Sequence, residues 1–370
     1  MEIEKGSVWI KFAAMEKFMR DVFIGLGVPK KEAAVSAEVL ITADKLGFDS
    51  HGISRLKPIY YDRIKQGIQL PTTAFKVVKE APASAVIDGG NGMGHVVARR
   101  AMELAIRKAR KYGIGMTAVR NSTHYGIAGY YPLMAVKAGM IGITGTNARP
   151  SLAPTFGIEN MLGTNPLTFG MPTDEKFPFL LDCATSITQR GKIEVYAKLG
   201  KKMPAGWVID RDGRSKTDSR KVLVDLTQGT AALVPLGGIG EELGGYKGYG
   251  YATAIEILCA ALQRGAYMKM LTGVKDGKKV PYPLGHFFIA INISAFTELK
   301  SFKRIAGSIL RELRASKKMP GARRIFTAGE KEHLTWLARK DKGVPVNKET
   351  QREIILMRDE LGLKQYKFPF

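Results

Sequence analysis

Between residues 75 and 293 the chain repeatedly switches rhythm. Short β-branched runs at 75–79, 85–88, 114–119, 141–146 and 179–181 alternate with amphipathic stretches at 95–112 and 127–138. A further amphipathic stretch at 249–264 precedes an apolar run at 286–293. Neither element can hide its apolar side alone, so the pattern calls for a sheet with helices on both faces. The flanks read differently. Trp9, Phe12, Met15, Phe18, Val22 and Leu26 recur at helical spacing and give one apolar stripe, which Gly25, Gly27 and Pro29 stop. Ala33, Ala34, Ala37, Leu40 and Ile41 build a second helix that Gly47 closes. A third, around Tyr60, Tyr61 and Ile64, ends at Gly67, and Pro58 argues against an early start because the residue before proline avoids helical geometry. Helices return at 299–314, 330–340 and 350–361, with Met319-Pro320-Gly321 as a breaker. The expected layout is a helical region at 1–74, an α/β domain at 75–298, and helices at 299–370 that pack with the amino-terminal region.

The chain has 370 residues and 45% hydrophobic content, enough for sizeable cores without disulfides. Its two cysteines, Cys183 and Cys259, show neither CxxC nor metal-ligand spacing, so no metal site is expected and a reducing cytoplasm fits. No apolar run approaches the roughly 18 residues that cross a bilayer, and residues 1–11 lack the apolar core of a signal peptide. The net charge of +23 raises nucleic-acid binding as a rival function. The basic residues are scattered over helices, however, with no interleaved aromatics or zinc-finger pattern, and the expected partner is an anionic small molecule rather than a nucleic acid or a membrane.

Two glycine-rich stretches invite a nucleotide reading and fail it. Gly89-Gly90-Asn91-Gly92-Met93-Gly94 follows a strand, but counting from Gly90 the last place of G-x-G-x-x-G is His95. The acidic residue expected about 20 positions on is replaced by Arg110-Lys111-Tyr112. A tight strand-to-helix turn is the better account. The stretches 237–240 and 244–248 also lack the order of a P-loop.

The segment richest in chemistry is Asp49-Ser50-His51-Gly52-Ile53-Ser54-Arg55. Reducing a 2-oxo acid requires a cation for the carboxylate, a proton donor for the new alkoxide and a hydride source. Arginine suits the first task and histidine the second. A helix over 50–56 would set His51 and Arg55 one turn apart on one face, with Ser50 or Asp49 as its cap and its positive end toward the anion. A capped surface helix with an idle histidine accounts for the spacing equally well. Asn121-Ser122-Thr123-His124-Tyr125-Gly126 follows a strand, where loops carry ligands. Thr164 lies in a Gly-Thr-Asn-Pro turn, and 181–186 ends a buried run in small polar residues. Cys183 reads as packing rather than nucleophile, and His95, His286 and His333 as structural.

Taken in order, DSHGISRL at 49–56, NSTHYG at 121–126, GTNP at 163–166 and DCATS at 182–186 resemble the type 2 malate/L-lactate dehydrogenase family. That family includes sulfolactate and ureidoglycolate dehydrogenases and cyclic-imine reductases. The pattern is most similar to its archaeal malate-oxidising members, and the resemblance runs from about Trp9 to Glu330. It implies a non-Rossmann three-layer α/β/α fold with a mixed seven-stranded sheet and an NAD- or NADP-dependent homodimer. It implies oxidation of a 2-hydroxy acid, with L-malate to oxaloacetate foremost and sulfolactate or L-lactate as alternatives. It matches Ser50 and His51 to the proton-transfer pair, with His124 credited instead in some members, and Arg55 and Thr164 to substrate contacts. It matches His124, Tyr125, Gly126 and Ile127 to one cofactor segment, Asp182, Cys183 and Ala184 to a second, and Pro320, Gly321 and Arg323 to a third. Imine-reducing members carry an aspartate where this chain has Lys192. The expectation drawn from that departure is that Lys192, or nearby Arg190, pairs with the distal carboxylate of a dicarboxylate substrate.

Overall fold

The computed structural model describes residues 6–370; the first five residues, part of the amino-terminal stretch weighed above, lie outside the described residues. A mixed seven-stranded sheet forms the centre. Its strands are β1 (Lys76–Glu80), β2 (Ser84–Asp88), β3 (Ile114–Ser122), β4 (Met140–Thr146), β5 (Leu167–Met171), β6 (Phe179–Cys183) and β7 (Leu284–Asn292). They lie in the order β1-β2-β3-β7-β4-β5-β6. β2 and β3 pair in parallel, and β7 enters late between β3 and β4, antiparallel to both. Antiparallel steps from β4 through β5 to β6 then bring the ends of β3, β4 and β6 and the start of β7 to one edge.

Side chains on β7 alternate between two cores, as strand geometry requires. Phe288 and Ala290 pack with α3 (Gly94–Tyr112) and α4 (Tyr130–Lys137) on one face, while Phe287 and Ile289 pack with α6 (Gly245–Ala260) on the other. The result is three layers, α/β/α. A separate small core around Leu152, Leu162, Val208, Leu233 and Ala252 sits between the sequence positions of β4 and α6.

The two ends of the chain share one core. In α1 (Phe12–Gly25), Met15, Phe18, Met19, Val22 and Phe23 are fully buried against Val344, Val346, Ile354 and Met357. Each such side chain stabilises the fold by about 1.5–3 kcal/mol. Trp9 does not extend this helix as its spacing suggested. It lies in a strand, Val8–Ile10, paired antiparallel with Val344–Val346, a partner that local periodicity cannot reveal. Pro58 lies inside a π-helical turn, Leu56–Tyr61, at a position where the first turn needs no N–H, so the proline is tolerated. The helix α7 (Leu299–Ala315) departs from the expected carboxyl-terminal packing. Its Arg311 and Arg314 pair with Asp174 and Glu175 in the turn between β5 and β6.

The glycine turn at 89–94 is a close-packing device. A Cβ on Gly94 would meet Thr123 O at 2.3 Å and His124 O at 2.5 Å, and the Gly94 N–H donates to Thr123 Oγ1 at 2.9 Å. The start of α3 is thus occupied by the loop that follows β3, with no room for a phosphate. Gly94→Ala should destabilise the fold by about 1–3 kcal/mol in urea or thermal unfolding, because the backbone of that loop must shift. Unchanged stability would contradict this packing.

Candidate active site

At the sheet edge described above lies a cavity of about 430 Å³, within the usual range for small-molecule sites. Its wall gathers residues from distant segments: His51, the loop from His124 to Ala128, Thr146 to Ala148, Thr164, Asp182 to Ala184, Thr188, Lys192 and Leu284. Of the expected site residues, His51, His124, Tyr125, Gly126, Ile127, Thr164, Asp182, Cys183, Ala184 and Lys192 therefore converge on one space. Ser50 and Arg55 stand next to His51 rather than on the wall. Pro320, Gly321 and Arg323 do not line the cavity; they occupy an exposed turn. Arg190 is also off the wall, held by Glu194 and the Thr227 hydroxyl.

The helix expected over residues 50–56 does not form. Residues 49–52 make a turn, and only Ile53–Arg55 forms a short 3-10 segment, preceded by Gly52 with no side-chain cap. Neither Ser50 nor Asp49 is a helix cap, and no helix end faces the anion. The reason is a set of competing contacts invisible in the local pattern. Asp49 is gripped by the Arg339 fork at 2.5 and 2.8 Å, and the same guanidinium donates to the Asp44 carbonyl at 2.8 Å. The Asp44 carboxylate in turn accepts the Ile53 N–H at 3.0 Å. Gly52 is required here, since a Cβ would lie 1.9 Å from Asp44 Oδ1.

His51 and His124 stack with ring centroids 5.8 Å apart and planes 18° from parallel. Ser50 Oγ lies 2.9 Å from His51 Nδ1. Arg55 Nε donates to the Ser50 carbonyl at 2.5 Å, and its Nη2 is 3.8 Å from Glu194. The Tyr60 hydroxyl is 2.6 Å from His124 Nδ1, and the Gly126 N–H donates to the same nitrogen at 3.3 Å. Nδ1 is therefore an acceptor, and the neutral His124 ring carries its proton on Nε2. Tyr60 was missed by the sequence reading, which took it only as part of a helix.

Burial pushes His51 down to about 4, with the Arg55 guanidinium adding to the effect. Burial, then His51 and Arg63, hold His124 well below its ordinary value. Both imidazoles are neutral near pH 7. Burial raises Asp182 to about 6, against hydrogen bonds from the Gly129 N–H at 2.7 Å and the Thr168 hydroxyl at 3.2 Å. Asp182 thus fastens the start of α4, next to the His124 loop, to the end of β6. Burial and the neighbouring Asp182 raise the Cys183 thiol, so it is no thiolate nucleophile. His286 Nδ1 is tied to Thr146 Oγ1 at 2.7 Å, and His333 stacks on Phe177 at 5.5 Å, both structural roles.

Residues 10–355 match the family described as malate/L-lactate dehydrogenase. The chain belongs to that family. Malate dehydrogenase of Pyrococcus abyssi is 43% identical over 366 residues, covering 98% of this chain and 98% of the relative. L-sulfolactate dehydrogenase of Methanocaldococcus jannaschii is 39% identical, covering 94% and 96%. Among solved structures, malate dehydrogenase from Entamoeba histolytica superposes with a TM-score of 0.94 at 41% identity, covering 98% of this chain and 100% of that one. The protein is accordingly an oxidoreductase of the 2-hydroxyacid dehydrogenase type.

The buried histidines of this dehydrogenase give a pH dependence of stability. Burial holds His95 and His286 near about 3, far below the model value of 6.5. A depressed folded value means that their contribution is complete above about pH 6.5 and is lost as pH falls toward about 3. Neither His95 nitrogen has a hydrogen-bond partner among the described residues. His95→Leu should therefore give a shallower fall of the thermal midpoint between pH 6.5 and 4, by the uptake of one proton. Parallel curves for the two proteins would contradict this.

Proposed function

We propose that this dehydrogenase interconverts L-malate and oxaloacetate, using NAD or NADP bound along the wall segments 124–127 and 182–184. The observation that carries the reading is the stacked, neutral pair His51 and His124 facing one cavity, with Arg55 beside it. Relatives named malate dehydrogenase at 42% and 43% identity support the choice of substrate. A relative named L-sulfolactate dehydrogenase, at 39%, favours sulfolactate as the second reading, with L-lactate behind it.

The wall suits a nicotinamide ring. Ala128, Cys183 and Ala184 are small, and the buried Thr188 hydroxyl has no hydrogen-bond partner among the described residues, leaving it free for a carboxamide. A bound nicotinamide supplies the hydride acceptor for the alcohol and the donor for the ketone. The chain's own groups do the rest. Arg55 takes the 1-carboxylate through the guanidinium face not engaged by Ser50. His51 accepts the hydroxyl proton, and Ser50 fixes its ring. The substrate carboxylate raises the His51 pKa from about 4 toward the working range, because an anion favours the imidazolium. His124, with its proton on Nε2, donates a hydrogen bond to the reacting oxygen, as does the Thr164 hydroxyl. Lys192 adds a cation on the wall, its Nζ 4.7 Å over the Trp207 ring.

A homodimer is part of this reading. On α7, Ile305, Ile309 and Leu313 are 58%, 54% and 53% exposed and form an unpartnered stripe that a second copy would cover. Light scattering should give the dimer mass, and Ile309→Asp should shift it toward monomer; a monomeric parent protein contradicts the assignment.

Turnover is tested by NADH and NADPH oxidation with oxaloacetate, sulfopyruvate and pyruvate in parallel, where oxaloacetate should give the highest kcat/KM. His51→Ala should lower kcat by about 10²–10⁴-fold while leaving NAD(P)H binding nearly intact. Retained turnover in that variant, with loss in His124→Ala, would transfer the proton role to His124. Arg55→Ala should raise KM and lower kcat together.

A further inference from the structure

Two arginines next to the cavity have no anion. The Arg63 guanidinium carbon lies 4.8 Å from the Tyr282 ring centroid, and that of Arg149 lies 5.8 Å from the same centroid. Neither guanidinium makes an ion pair or hydrogen bond with a described residue. The contrast with other arginines is sharp, since Arg99, Arg314 and Arg339 are each paired with a carboxylate. The place also fits. Arg149 directly follows Ala148, and Tyr282 stands just before Leu284, both of which are wall residues. Arg63 is close enough to His124 and Tyr60 to lower both their pKa values.

Assembling like charges in a partly desolvated spot is unfavourable unless an anion completes it. Burial lowers the basicity of Arg63, and the fields of Arg149 and Arg55 add to this. The flat Tyr282 ring holds both forks by cation–π contact while leaving their N–H edges free. A guanidinium fork matches a carboxylate or sulfonate in two places at once, which a lone ammonium such as Lys192 does not.

We propose that Arg63 and Arg149, both resting on Tyr282 beside the cavity wall, form the subsite that takes the second acidic group of the substrate, a carboxylate or a sulfonate. The proposal rests on the dehydrogenase reading above. It moves the recognition of the distal group from Lys192 to this pair, and makes the pair the selector of diacids over plain 2-oxo acids.

The test compares kcat/KM for oxaloacetate and sulfopyruvate with that for 2-oxobutanoate, which carries a methyl group in place of the distal acid. The variants are Arg149→Gln, Arg63→Gln, Arg63→Lys and Lys192→Ala. Losing one charged hydrogen-bonding partner should lower the diacid-to-monoacid ratio by about 10- to 100-fold in Arg149→Gln and Arg63→Gln. Arg63→Lys should restore part of that loss, and Lys192→Ala should leave the ratio within about twofold. The diacid with the higher parent value shows whether a carboxylate or a sulfonate is the native group. An equal loss for all three substrates, a selective loss in Lys192→Ala alone, or a change confined to NAD(P)H affinity overturns the proposal. A parent enzyme that reduces none of these acids fails the dehydrogenase reading instead. Calorimetric titration with malonate then still decides the subsite, since Arg149→Gln must weaken it and Lys192→Ala must not. Arg149 is exposed, so its variant tests the idea even where Arg63→Gln folds poorly.

Discussion

The placement of His51 depends on one ion pair. The Arg339 guanidinium, at the end of α8 (Glu330–Arg339), bridges the Asp44 carbonyl at the end of α2 (Lys30–Leu46) and both oxygens of Asp49. Asp44, fully buried, then holds the Ile53 N–H beyond the histidine. These contacts replace the helix that the local sequence favours with a turn pinned at both sides. Asp49 is one-third exposed, so the pair stabilises less than a fully buried one; its effect is chiefly positional. The carboxyl-terminal helices are therefore part of the active site without touching it.

The opposite wall is fixed by the sheet. Late insertion of β7 between β3 and β4 aligns three strand ends, and Asp182 ties the last of these to the start of α4. Between the two walls stand neutral imidazoles in a field of arginines: Arg55, Arg63 and, further out, Arg149. A cavity of this kind is incomplete electrostatically until an anion enters. Binding and proton transfer are then linked, because the same negative charge that satisfies the guanidiniums returns His51 toward the pH range where it can exchange a proton.

Much of this was legible in the sequence. The period-two and helical runs placed β1 to β4, β6 and β7, and four short motifs named most of the residues that meet in the cavity. What escaped was set by non-local pairing. β5 is short and glycine-bearing, and only its neighbours β4 and β6 make it a strand. Trp9 looked helical until its partner strand, from the far end of the chain, was in view. The turn at His51 is decided by Arg339, and the small core around Leu152 and Leu233 is assembled from pieces too short to show a period. Tyr60, Arg63 and Arg149 carried no signal, because a tyrosine in a helical run and two arginines among many give no hint of a shared space.

The central claim is that His51 and His124, and not the other buried histidines, face the reacting anion. Nitrogen-15 NMR of the imidazoles, followed as malonate is added to the NADH-saturated enzyme, measures this directly. The ring nitrogens of His51 and His124 should shift, with the His51 pKa rising from about 4, while His95 and His286 stay near about 3. Shifts at His95 or His286 with His51 and His124 unmoved would contradict the account.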